Sequence, residues 1–204
     1  MLNRTKYFRK LCLSGSFLVG LISLSSTANA QFIGINADVA IDYSAAPGKV
    51  DGFSVGISHP APFIPNIGYS SVSFIDKESI TNPSDNSSVS LETTTTIKTI
   101  NLFYNVPFPV VTITVGFGLG GVETITTIKE NNVDKDNSDS KDSVSEVFFH
   151  IGLPFWNTVE FHLGYHLMSF SSIDITKSVI LGGNYTTDKN YSGGMTTIGV
   201  QVAF

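Results

Sequence analysis

Three of the four histidines in the chain, His150, His162 and His166, fall close together, with Glu146 and Glu160 among them. Imidazole and carboxylate together can hold a divalent metal ion. The same residue types also form satisfied ionic networks inside narrow polar interiors. No metal-ligand spacing chooses between these two readings. Ser169, Ser171 and Ser172 follow His166 closely, a combination that a hydrolase can use, but no G-x-S-x-G elbow accompanies them. The stretch Gly116-Phe117-Gly118-Leu119-Gly120-Gly121 matches G-x-G-x-x-G. A dinucleotide site needs a helix after that motif, and Val122 to Ile128 reads as a Thr-rich strand instead. Its glycines fit better as space for bulky neighbours such as Phe103 and Phe148. No cofactor is expected.

The elements that must position these groups are strands, because hydrophobicity recurs with a period of two in segment after segment. Ile33, Ile35, Ala37, Val39, Ile41 and Tyr43 share one face of the first segment, in unbroken alternation. Phe53, Val55 and Ile57 mark a second strand. The third, from about Ile67 to Asp76, changes parity between Tyr69 and Val72, which predicts a bulge near Ser70-Ser71 or a strand boundary placed elsewhere. Strands four and five carry Ile100, Leu102, Tyr104 and Val106, then Val111, Ile113, Val115, Phe117 and Leu119. The sixth sets Val147, Phe149, Ile151 and Leu153 against Glu146, Phe148, His150 and Gly152. The seventh sets Phe161, Leu163, Tyr165 and Leu167 against Glu160, His162, Gly164, His166 and Met168. The eighth ends the chain. Short Pro-rich turns at 59–66, 107–109 and 154–157 alternate with polar segments at 77–95, 129–143 and 172–193, read as solvated, mobile loops.

If strands six and seven pair through the turn at Pro154 to Asn157, His150 faces His162 and Glu146 faces His166. Glu146, His150, His162 and His166 then share one part of the interior with Glu160 below them, and form the candidate metal cluster.

Composition bounds the setting. Of 204 residues, 42% are hydrophobic and only 14% charged, and the formal net charge is −5, so one domain with a thin charged coat is expected. Residues 1–30 have the parts of a secretory signal: Arg4, Lys6, Arg9 and Lys10, an apolar run from Leu11 to Leu24, and a cleavage pattern with Ala28 and Ala30 before Gln31. The lone cysteine, Cys12, lies inside it. The mature domain is therefore expected over 31–204, with eight basic residues against seventeen acidic ones. Such a body repels phosphate backbones, and no nucleic-acid partner is expected.

Alternation alone leaves open whether the apolar face points to a dry interior or to lipid. The polar faces are rich in Gly, Ser, Thr and Asn with almost no Lys, unlike an ordinary water-facing exterior. Tyr43, Phe53, Tyr69, Tyr104, Phe161 and Phe204 sit near strand ends, as interfacial aromatic girdles do. In lipid only a closed sheet satisfies every backbone group. The fold class expected is all-β: an eight-stranded antiparallel up-and-down transmembrane β-barrel.

On these residues the chain resembles the small eight-stranded outer-membrane β-barrels of Gram-negative bacteria over 31–204. Ile198-Gly199-Val200-Gln201-Val202-Ala203-Phe204 looks like their terminal strand, whose final phenylalanine, with Val202 and Val200, the barrel-assembly machinery recognises. Ser58 to Ile67 is similar to the H-P-x-P-x-x-P-N turn of a largely uncharacterised outer-membrane barrel family. The resemblance implies periplasmic termini, short periplasmic turns, long surface loops, and outer-membrane lipid and lipopolysaccharide as surroundings. A monomer in the outer membrane is expected, with a structural or surface-interaction role and no general porin activity. The alternatives are a lipid-modifying outer-membrane enzyme and a soluble periplasmic carrier of a small apolar ligand.

Overall fold

Residues that alternate in polarity can satisfy their backbones in a sheet while sending two chemistries to opposite faces, and closing that sheet removes its edges. The computed structural model describes residues 33–204 except 62, 82–87, 109, 131–132, 157, 171–172 and 178–184. The expected signal with Ala28, Ala30 and Cys12, and the serines 171 and 172, lie outside the described residues.

Eight antiparallel strands close the barrel: β1 (Gly34–Tyr43), β2 (Val50–Ser58), β3 (Asn66–Thr81), β4 (Ser88–Pro107), β5 (Thr112–Glu130), β6 (Val133–Trp156), β7 (Val159–Phe170) and β10 (Gly193–Ala203). Between the last two, β8 (Ile173–Lys177) and β9 (Tyr185–Lys189) pair as a separate hairpin. Each barrel strand pairs with its sequence neighbour and β10 closes on β1, so the up-and-down topology stands. The last residues of β10 meet the start of β1 at the short-turn end. There Phe204 N–H donates to the Ile33 carbonyl (3.0 Å) and Ala203 N–H to the Thr158 carbonyl (2.8 Å).

The apolar faces point outward. Ile35, Val39, Val55, Ile100, Val115, Phe149, Leu163 and Ile198 are all exposed, while their polar neighbours fill the lumen. A soluble carrier would need the opposite arrangement, so that geometric premise is overturned.

Four local expectations change. The predicted bulge in the third strand is absent: β3 pairs without interruption with both β2 and β4. The parity change is real and has another cause, because Tyr69 lies outside while Val72 and Phe74 enter the lumen, where part of the filling is itself apolar. Conversely, the alternation in β1 that reads as unbroken is interrupted at Ala40/Asp42. That irregularity turns Tyr43 inward, to 1% exposure, so it belongs to the core and not to an outer aromatic belt. Strands of ten or so residues are expected from the pattern, yet β4, β5 and β6 run to 20, 19 and 24. The supposed loops at 77–95 and 129–143 largely continue these ladders, which pair from Thr81↔Ser88 and Glu130↔Val133 inward. Polar side chains on both faces hide such a strand from a hydrophobicity pattern, whereas β-branched threonine favours it. Inside it, the hydroxyls of Thr93 and Thr126 hydrogen-bond (3.0 Å); outside it, Lys141 pairs with Glu123 (2.9 Å), holding that carboxyl below its usual range.

The lumen has two storeys. Above, Tyr43, Val72, Phe74, Ile97, Val122, Val144, Met168, Phe170, Tyr191 and Met195 form a dry core. The ring of Phe74 meets Tyr43 (5.6 Å between centroids) and the edge of Tyr191 (5.1 Å), and the Tyr43 hydroxyl donates to the Tyr191 carbonyl. Below this core the filling is polar.

Candidate functional site

An eight-stranded barrel has room for side chains but not for a channel. In the lower storey bulky residues therefore share hydrogen-bonded rows with small ones. One row reads Gly152, His162, Gly199, Asp38, Ser54 across β6, β7, β10, β1 and β2. The next reads Thr114, His150, Gly164, Thr197, Ala40 across β5, β6, β7, β10 and β1. A Cβ at Gly199 would lie 2.6 Å from His162 Nε2, and one at Gly164 would lie 2.6 Å from His150 Cδ2 and 2.9 Å from its Nε2. Those contacts leave no space for any other residue. Two glycines thus let imidazoles lie flat over backbone and reach their partners.

The β6–β7 register differs from the expected one by a step of two. His150 stands opposite Gly164, His162 opposite Gly152, His166 opposite Phe148 and Glu146 opposite Met168. β6 runs on through the expected turn to Trp156, which pairs with Val159, so the connection is shorter than expected and the pairing is displaced, with an irregularity at Pro154/Trp156. A shift of two preserves the face, so all four side chains still enter the lumen and meet diagonally.

The resulting chain of contacts is buried throughout. Thr99 Oγ1 donates to Glu146 Oε2 (2.5 Å), and Glu146 Oε1 accepts from His166 Nδ1. His166 Nε2 lies 3.1 Å from His150 Nε2 and 3.2 Å from Thr197 Oγ1. The His150 ring stacks on His162 (5.2 Å, 14° between planes), and His162 Nε2 contacts Asp38 Oδ1 at 2.5 Å. Phe148 stacks on His166 (5.0 Å, 17°), walling the cluster off on one side. Glu146 and His166 are 1% and 0% exposed.

All four expected residues therefore lie in one chain of contacts, with Glu146 at its far end from His162. Asp38, His150 and His162 present ligand atoms within 4.8 Å of one another. Glu146 instead holds the far ring through His166 Nδ1. Asp38 did not enter the sequence-based cluster, since only barrel closure through β10 brings β1 beside β7. The sequence does carry a signal: Asp38 is an acid on the inward face of a strand whose other inward neighbours are Gly34 and Asn36. Glu160 lies farther toward the short-turn end, paired with Gln201 and Pro154.

Other candidates separate. Ser169 is on the outward face of β7, opposite to His166, so these two cannot act together. Gly116 to Gly121 lies within the uninterrupted strand β5, with no helix after it. A Cβ at Gly116 would lie 2.7 Å from Phe148 Cε1, the crowding anticipated there. The Ser58–Ile67 motif builds its own turn: His59 Nδ1 accepts from Ala61 N–H (3.2 Å), its Nε2 donates to the Pro65 carbonyl (3.2 Å), and Asn66 Oδ1 accepts from His59 N–H (2.9 Å). Val200 and Val202 lie on the last strand with Phe204 exposed after it.

No protein-family model matches the sequence, and no curated protein does. Among solved structures, the chain is similar to a major outer membrane protein from Thermus thermophilus, at 10% identity, over 86% of this chain and 100% of that one, with a TM-score of 0.51. Outer Membrane Protein W of E. coli aligns at 7% identity over 87% and 100% of the two chains (TM-score 0.49). Neisserial surface protein A aligns at 16% identity over 85% and 97% (TM-score 0.43). The first of these likenesses bears on fold: this is a closed barrel of the outer-membrane type.

Proposed function

We propose that the chain is an integral outer-membrane β-barrel with a structural or surface-interaction role, and that it does not serve as a general porin. The observation that carries this reading is the pairing of an apolar outer belt with a filled lumen. A belt of Ile, Leu, Val and Phe around a sheet without edges suits hydrocarbon and is costly in water. The packed core from Tyr43 to Met195, among the described residues, supports the reading that small solutes do not pass. On this reading the membrane surroundings are lipid and lipopolysaccharide, Phe204 with Val202 and Val200 engages the assembly machinery, and the barrel is complete as a monomer.

The extended ladders of β3 to β6 would then stand above the lipid as a Thr-rich wall that can meet other surfaces. Fractionation tests the reading. The protein should stay with outer membranes through carbonate and high-salt washes, shift in gel mobility on boiling, and produce no steady current in planar bilayers. Recovery as a soluble periplasmic protein, or a stable ohmic conductance, would overturn it.

A further inference from the structure

We propose that Asp38, His150 and His162 form a site for one divalent transition-metal ion, zinc by ligand chemistry, inside the barrel. Four observations converge. First, the three residues offer one carboxylate and two imidazole ligands within 4.8 Å of one another, drawn from β1, β6 and β7. Zinc bonds of about 2.0 to 2.1 Å in a tetrahedron set ligand atoms roughly 3.3 Å apart, so an ion bound here replaces the direct Asp38–His162 contact and draws the three groups around itself. Second, Asp38 Oδ2 is buried without a hydrogen-bond partner, although a buried carboxylate oxygen normally has one.

Third, imidazoles are the partners that the two buried carboxylates have. Asp38 and Glu146 are both buried, and no lysine or arginine is buried among the described residues. A dication would balance such carboxylates with the imidazoles neutral, and imidazole with carboxylate selects zinc-like ions over calcium or magnesium. Fourth, the surroundings are built. Gly199 and Gly164 make room for the two ligand rings. The nearest further imidazole, His166, is held by Glu146 with Nε2 toward His150, and Glu146 is itself held by Thr99. Carboxylate–histidine pairs of this kind orient donors around protein metals. With the upper storey closed by the dry core, the ion enters while the barrel assembles or from the short-turn end.

The test uses the full folded protein in detergent, folded with Co²⁺ or Zn²⁺ and then passed over a weak chelator. One Co²⁺ per chain is expected, with the intense visible bands of four-coordinate cobalt and displacement by Zn²⁺. Asp38→Asn, His150→Gln and His162→Gln should each lower retention at least tenfold, and His59→Ala, in the short turn after β2, should not change it. Gel mobility before and after boiling verifies that each variant is folded.

A readout on the unmutated chain stands beside these. Zn²⁺ should shift the ring-nitrogen resonances of at least two histidines and leave His59 in place. Absence of stoichiometric metal in the unmutated protein, retention that survives in a folded Asp38→Asn/His162→Gln double variant, or retention lost with His59→Ala would overturn the proposal. It stands apart from the membrane reading, since neither fractionation nor conductance enters the test.

Discussion

Leu163 sits in the middle of the outer belt, between Phe161 and Tyr165 on its own strand and beside Ile151 and Ile198 on the neighbouring ones. It is 56% exposed. Leu163→Arg therefore separates two solvents. In water, replacing an exposed side chain that fills no core changes stability by about ±0.5 kcal/mol or less. At the middle of a bilayer, an outward arginine costs roughly 2–4 kcal/mol, a folding constant smaller by about 30- to 900-fold. Ile125 gives the internal control. It is also exposed and also apolar, but lies six residues beyond Leu119, the last of the run Val115, Phe117 and Leu119 on β5. At about 3.4 Å per residue and a tilt near 40°, it stands roughly 15 Å farther along the barrel axis, where the same arginine costs about 0–1 kcal/mol. Urea titration of reversible folding into phosphatidylcholine vesicles, read by gel mobility, measures both. Equal and small effects at the two sites would refute the belt as a lipid-facing surface.

Phe74 anchors the dry storey, so Phe74→Ala should cost about 3–5 kcal/mol in the same titration; a loss under about 1 kcal/mol would mean that the storey is not packed. The mouth should loosen with alkali. Burial first, then the Asp76 carboxylate, raises the Tyr191 hydroxyl from its ordinary 10.0, while Lys189, opposed by burial, is raised from 10.5 by its hydrogen bond and ion pairs to Asp76 and Glu78. A raised folded value means stability intact below the unfolded value and lost as pH rises through the folded one. Amide exchange at 190–194 should thus accelerate beyond what solvent alone imposes above about pH 10, and Tyr191→Phe with Lys189→Met should abolish that excess; excess acceleration confined to acid pH would refute it.

The belt and the strand count were legible because outward residues answer to one solvent. Leu163 has to be apolar whatever its neighbours are, so periodicity reports it directly. Inward residues answer to one another. Tyr43 reads as an outward aromatic until the Ala40/Asp42 irregularity, which depends on pairing with β10, reverses it. Val72 and Phe74 read as a change of register because an interior that is polar throughout would have no place for them. The histidine cluster was legible as far as the face of each residue, since a register error of two leaves faces unchanged. Its ligand set was not, because Asp38 reaches His162 only through closure of the first strand on the last.

The extended ladders change what the outer surface can do. Flexible loops would lose backbone entropy when they meet a partner, at about 1–2 kcal/mol per residue fixed. Residues such as Thr94, Thr96 and Glu123 are already fixed by pairing in β4 and β5, so that cost has been met in folding. A paired wall also offers side chains at fixed spacings, two residues apart along a strand and one strand apart across it. Recognition by such a wall depends on shape and on rows of hydroxyls, and some of its charges are paired, as in Lys77–Glu92 and Lys141–Glu123. Those pairs neutralise each other locally. Contacts made through those rows of hydroxyls would accordingly resist added salt far better than contacts with a single-sign charged patch.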